Sequence, residues 1–130
     1  MSTSLKAMIG KRATIAIVED DAGVRTALVQ LLRSAGFTAR SFATAEEFLE
    51  AIRGEGIDCL IADVNLPGMS GVALVQTLAS GGKGPPAVIM TGRDDAYTVE
   101  LVKQVAPVRC LRKPFSDDDL FDAIRFALAA

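Results

Sequence analysis

Three short runs, "TIAIV" at 14–18, "DCLIA" at 58–62 and "AVIM" at 87–90, are almost unbroken in their hydrophobicity. A strand with one wet face alternates apolar and polar residues, so strands apolar at nearly every position have to be covered on both faces. That requirement constrains the fold more than any other feature. "FTARSF" at 37–42 and "VRCL" at 108–111 add two further runs of strand length bounded by turn-forming residues.

Segments of helical period lie between these runs. Val24, Leu28, Leu31, Leu32 and Ala35 form one apolar stripe, and Leu120, Ile124 and Leu128 form another; both read as core faces. Local signals mark the helix ends. Asp21 is placed to cap the first helix and Gly36 to end it, Thr44 and Glu47 have capping-box spacing, and "SDDD" at 116–119 puts acids at a helix start. Strand and helix therefore alternate about five times, which predicts an α/β fold with a parallel sheet between two helix layers. The common solution at this length is a flavodoxin-like, doubly wound five-stranded sheet in the order 2-1-3-4-5.

The bounds on function follow from composition. Half of the 130 residues are apolar and 23% are charged, enough for one compact domain, assigned to residues 13–130 behind a loose tail at 1–12. A net charge of −2 provides no basic field to draw in nucleic acid or an anionic membrane. Cys59 and Cys110 stand far apart in apolar segments, which indicates neither a CxxC centre nor a thiol metal site and suits a reducing cytoplasm. "MSTSLKAMIGKR" lacks a signal-peptide core, and no apolar run approaches the roughly 18 residues of a membrane span. "SGGKGPP" at 80–86 reads as a surface turn rather than a phosphate loop, since Gly84 stands where a hydroxyl residue would follow the lysine.

The strand ends carry the chemistry. The first strand runs into Glu19, Asp20 and Asp21, the third into Asp63, the fourth into Thr91 and Gly92, and the fifth into Lys113 and Pro114. In a parallel sheet these residues gather at the carboxyl edge, where ligands bind at the point of strand-order reversal. Singly, each has a structural explanation: Asp21 as a cap, Thr91 as a turn hydroxyl, Lys113 as a solvated lysine, Asp63 as a turn acid before proline and glycine. Jointly they do not, because clustered carboxylates repel unless a cation intervenes. Hard oxygen ligands in small number suit Mg²⁺, with Glu19, Asp20 and Asp63 as its holders. Lys113 and Thr91 then face phosphoryl oxygens, and Asp63 is a candidate nucleophile, since carboxylates form acyl phosphates.

With the acidic pair after strand one, "DVNLPGMSG" after strand three, "MTG" after strand four and "KPF" after strand five, residues 13–130 closely resemble the receiver domain of two-component response regulators. The resemblance implies that Asp63 accepts a phosphoryl group from a phosphohistidine on a sensor histidine kinase or phosphotransfer protein. It assigns Glu19, Asp20, Asp63 and the backbone carbonyl of Asn65 to Mg²⁺, and Thr91 and Lys113 to the phosphoryl group. It also implies self-catalysed phosphorylation and hydrolysis rather than enzymatic turnover of a substrate. The output would be a switch of the face built from the fourth helix (residues 95–104), the fifth strand and the fifth helix, read by an effector protein or a second copy of the chain.

Several residues depart from the family pattern. Cys110 occupies the mid-strand position usually held by Tyr or Phe and is read as a buried small apolar residue without a redox role; either the small thiol leaves room there or the nearby Tyr97 substitutes as the reporter. Glu19 replaces the more frequent aspartate, "VAP" at 105–107 stiffens the approach to strand five, and Asn65 and Arg93 stand where the family tunes the lifetime of the phosphorylated state. A stand-alone receiver with separate effectors is expected, since residue 130 closes the last helix. Two other classes use the same fold or the same groups: a pseudo-receiver that keeps the fold as an interaction module, and a Mg²⁺-dependent phosphatase with an aspartyl nucleophile. The latter has a second aspartate two residues after the nucleophile, where this chain has Asn65.

Overall fold

The computed structural model describes residues 13–52, 56–81, 84–92, 100 and 108–129. Five strands, β1 (Thr14–Val18), β2 (Thr38–Phe42), β3 (Cys59–Asp63), β4 (Ala87–Thr91) and β5 (Val108–Arg112), form one sheet in the order β2-β1-β3-β4-β5, with every pairing parallel. This is the flavodoxin-like arrangement that the sequence predicts. Helices α1 (Ala22–Ser34), α2 (Ala45–Ala51) and α3 (Gly71–Ser80) and the C-terminal helix (Asp117–Ala129) cover it. Of the helix expected at 95–104 only Glu100, which is helical, is described; Tyr97, Arg93, the 105–107 segment and the tail at 1–12 lie outside the described residues.

The period of two along each strand divides the core into two layers. Ile15 and Ile17 of β1, Cys59 and Ile61 of β3 and Val88 and Met90 of β4 face one way, against Leu28 and Leu32 of α1 and Leu120 and Ile124 of the C-terminal helix. Ala16, Val18, Leu60, Ala62 and Ile89 face the other way, against Phe48 of α2 and Val72, Leu74 and Val75 of α3. Every residue of β3 and β4 is buried, as unbroken apolar runs require.

The caps form as the local sequence directs. Asp21 Oδ1 accepts from the Val24 amide at 3.0 Å, and Gly36 takes a positive φ of 96° just past the end of α1. Thr44 Oγ1 accepts from Glu47 N, while Glu47 Oε1 reaches back to Ala43 N. Ser116 Oγ accepts from Asp119 N at the head of the C-terminal helix.

Two expectations need correction. Val24 is 37% exposed, since it lies in the first turn of α1 at the carboxyl edge where the sheet ends. Cys110 is exposed as well, because β5 is an edge strand with only Leu111 buried. Partial desolvation by its neighbours, opposed by Arg112, still holds the Cys110 thiol above its ordinary value, so it is not primed as a thiolate. Cys59, buried in β3, is pushed up to about 12.

Candidate functional site

The order of the strands reverses at β1, so the crevice beyond the carboxyl ends of β1 and β3 is where such a sheet binds ligands. Glu19 and Asp20 leave β1 there, and Asp63 ends β3 beside them. Carboxylate oxygens of Glu19, Asp20 and Asp63 lie within 4.8 Å of one another. Asp20 is exposed, whereas Glu19 and Asp63 are buried at 1% and 5% exposure. The cluster therefore has a wet side and a dry side.

Lys113, itself half-buried, answers the charge of the two buried acids. Its Nζ donates to Asp63 Oδ2 at 2.7 Å and to Glu19 Oε1 at 3.1 Å. The lysine follows β5, whose position is set by the β4 pairing, and its own backbone N–H donates to the Thr91 carbonyl at 2.7 Å. Thr91 is itself buried, at the end of β4. The Lys113–Pro114 peptide is cis.

The electrostatics follow from this geometry. Burial raises the Glu19 carboxyl above its ordinary value and the Asp63 charge adds to the rise, against the Asp21 amide and Lys113, which favour the ionised form. Burial pulls Lys113 downward, but its hydrogen bonds to Asp63 and Glu19 outweigh that pull, and the ammonium sits above its ordinary value. One lysine thus offsets part of the charge of three acids. A divalent cation would offset the rest, and an all-oxygen donor set with an open, hydrated side fits Mg²⁺ better than a softer metal.

Backbone contacts hold the acids still. The Asn65 amide donates to Asp63 Oδ1 at 2.9 Å, orienting the carboxylate. A Cβ on Gly71, the first residue of α3, would come within 2.3 Å of the Asp63 carbonyl oxygen, so only glycine lets α3 start directly against the strand end. Three contributions were not foreseen from the sequence. Besides Gly71, Arg25 Nη1 donates to the carbonyls of Glu19 at 2.8 Å and Asp20 at 3.4 Å, pinning the β1–α1 turn. Glu46 Oε2 accepts from Met69 N at 3.2 Å in the loop after Asp63. Gly71 carried a visible signal, a glycine opening a helix; Arg25 and Glu46 are ordinary helix-surface residue types whose targets depend on the fold.

The residues predicted for the site thus come together: Glu19, Asp20, Asp63 and Lys113 in one cluster, with Thr91 on the neighbouring strand end and Asn65 in the loop. A family model, the response regulator receiver domain, matches residues 15–125. The chain belongs to this family. The receiver is 36% identical to the transcriptional regulatory protein FixJ of Bradyrhizobium diazoefficiens over 114 residues, covering 88% of this chain and 56% of that protein. It is 33% identical to the response regulator protein TodT of Pseudomonas putida over 126 residues, covering 97% of the chain and 56% of TodT. The chain spans about half the length of these curated relatives.

Solved receivers superpose on it closely. The structure of FixJ-N gives a TM-score of 0.83 at 30% identity, covering 89% of this chain and 93% of that one. The response regulator StyR gives 0.79 at 42% identity, covering 89% and 59%. The chain is accordingly a receiver domain of a two-component response regulator. Among the described residues no helix is long and apolar enough to cross a membrane.

Proposed function

We propose that this receiver takes a phosphoryl group onto Asp63 from the phosphohistidine of a sensor kinase or phosphotransfer protein. The observation that carries the reading is the convergence of Glu19, Asp20, Asp63 and Lys113 at the switch point of the sheet, with Asp63 ending a fully buried strand. An Asp63 carboxylate oxygen bonds to phosphorus as the phosphorus–nitrogen bond breaks, and the imidazole departs neutral after taking up a proton. Glu19, Asp20 and Asp63, with the Asn65 backbone carbonyl, would hold Mg²⁺. When bound, the ion neutralises the acids and withdraws charge from the phosphoryl oxygens.

Lys113 supplies a compact positive charge to one phosphoryl oxygen and Thr91 a hydroxyl donor to another. The phosphoryl adds about −1.5 to −2 charge and three acceptor oxygens, so both groups are drawn toward it. Lys113 adjoins β5 and Thr91 ends β4, and their displacement repacks the face made by the fourth helix, β5 and the C-terminal helix. The described part of that face is open: Arg109, Cys110 and Arg112 are exposed on β5, and Phe126 is exposed on the helix. An effector protein, or a second copy of the chain, reads it. The domain acts as a switch with self-catalysed phosphorylation and dephosphorylation.

Intact mass after incubation with acetyl phosphate and Mg²⁺ tests the proposal. A labile phosphoryl adduct is expected on the parent, and is expected to be missing from Asp63→Ala and from a chelated sample. Absence of any adduct, together with amide resonances that beryllofluoride leaves unmoved, would replace the phosphoacceptor with an interaction module on the same fold.

A further inference from the structure

We infer that Glu46 is a positioning residue for the phosphoacceptor loop, latching the segment after Asp63 to α2 so that the metal-facing backbone is held before any ion arrives. The inference rests on the receiver reading above and deepens it. Residues 64–70 connect β3 to α3, and their base is secured twice: Val64 N donates to the Met90 carbonyl at 2.8 Å, and Gly71 N donates to the Val64 carbonyl at 3.3 Å. Leu66 is buried in the layer beneath α2 and α3. Beyond it the chain turns through Gly68, which takes a positive φ of 73°.

At that turn the loop meets Glu46. Its Oε2 accepts from Met69 N at 3.2 Å, and a Cβ on Gly68 would lie 2.9 Å from the same oxygen. The carboxylate therefore rests against bare glycine backbone and ties down the far end of the loop across 23 residues of sequence. Its neighbour Glu47 is of the same residue type but closes the helix cap on Ala43 N. Two adjacent acids thus have separate partners: Glu47 serves α2, and Glu46 serves the loop. Phe48, fully buried, anchors α2 in the core and makes it a fixed post for the latch.

Asn65 lies between the two fastened ends. Its amide orients Asp63 Oδ1, and its carbonyl is the backbone ligand of the proposed function. With the tip freed, the Asn65 segment keeps only the base contacts and the buried Leu66, and less firmly held ligands bind metal less tightly because their ordering has to be supplied on binding.

The test measures Mn²⁺ affinity of the full chain by electron paramagnetic resonance of the free ion, with amide exchange at Met69 read by NMR. Glu46→Ala is expected to weaken Mn²⁺ about tenfold, the low end of what outer-shell partners contribute, and to speed exchange at Met69. Glu46→Gln keeps an acceptor oxygen at the same reach and is expected to restore the parent's affinity. Glu46→Asp keeps the charge in the first turn of α2 but loses the reach, and is expected to behave as Glu46→Ala; it also serves if the alanine variant does not fold. Equal Mn²⁺ affinity in the parent and in both short variants overturns the latch and leaves the receiver reading intact. A Gln variant as weak as the Ala variant overturns it too, because the charge rather than the acceptor would then be acting. A parent that binds no Mn²⁺ overturns the phosphoacceptor reading, and the latch with it.

Discussion

β3 and β5 each deliver one partner of the Asp63–Lys113 pair, yet they are built oppositely. β3 is buried at all five positions, lies between β1 and β4, and ends in the carboxylate. β5 is an edge strand with one buried residue, Leu111, and the lysine follows it. A strand buried on both faces cannot shift without opening two core layers, whereas an edge strand moves at the expense of one ladder. The acid is therefore fixed and the lysine is placed where displacement is least costly. That is the division of labour that the proposed phosphorylation switch would use.

The largest expected effect tests the rigid half of this comparison. Ile61→Ala removes a fully buried side chain from the middle of β3 and is expected to cost about 2–5 kcal/mol in urea unfolding. A loss under about 1 kcal/mol would show that β3 is not the stiff member.

Glu19→Gln probes the charge at the dry side of the cluster. The folded-state pKa of Glu19 is raised, so its contribution to stability is present below the unfolded value of about 4.3 and is lost as pH rises through the folded one. At neutral pH without metal the ionised Glu19 therefore costs stability. The glutamine variant is expected to be more stable than the parent there, with the gap closing as pH falls through the ordinary carboxylate range, while Mn²⁺ affinity falls about tenfold or more. A metal-free variant less stable than the parent at pH 7 would mean that the Lys113 pairing outweighs burial.

The smallest effect belongs to the edge strand. Arg109 on β5 lies with its guanidinium 4.3 Å from the centroid of the Phe126 ring. Arg109→Ala is expected to cost about 0.5–1 kcal/mol in the same unfolding experiment, the range for an exposed cation–π contact. A cost like that of Ile61→Ala would erase the contrast between the strands.

The sheet was legible because burial on both faces writes itself into composition: a run such as "AVIM" has few other uses. Boundaries were less legible. The run at 58–62 begins one residue ahead of the strand, which spans Cys59–Asp63 and ends, as expected, on the carboxylate, pairing Asp63 with Met90. Helical period likewise put Val24 on the core face, where the sheet does not extend to cover it. Cys110 reads as apolar in "VRCL", but an edge strand leaves its side chain open.

By itself the sequence determined the alternation of strands and helices, the caps at Asp21 and Thr44, the acids at the start of the C-terminal helix, and the delivery of acids, hydroxyl and lysine to strand ends. These follow from local spacing and from burial, both of which act on residues near one another in the chain. Only the tertiary structure decided that Lys113 bridges Asp63 and Glu19, that Arg25 pins the turn carrying the acids, that α3 has to begin at a glycine, and that Glu46 rather than Glu47 reaches the loop after Asp63. Each joins groups from separate elements, over 94 residues in the case of Lys113 and Glu19. Their distances are set by how two helix layers pack on a twisted sheet, and no local pattern encodes that packing.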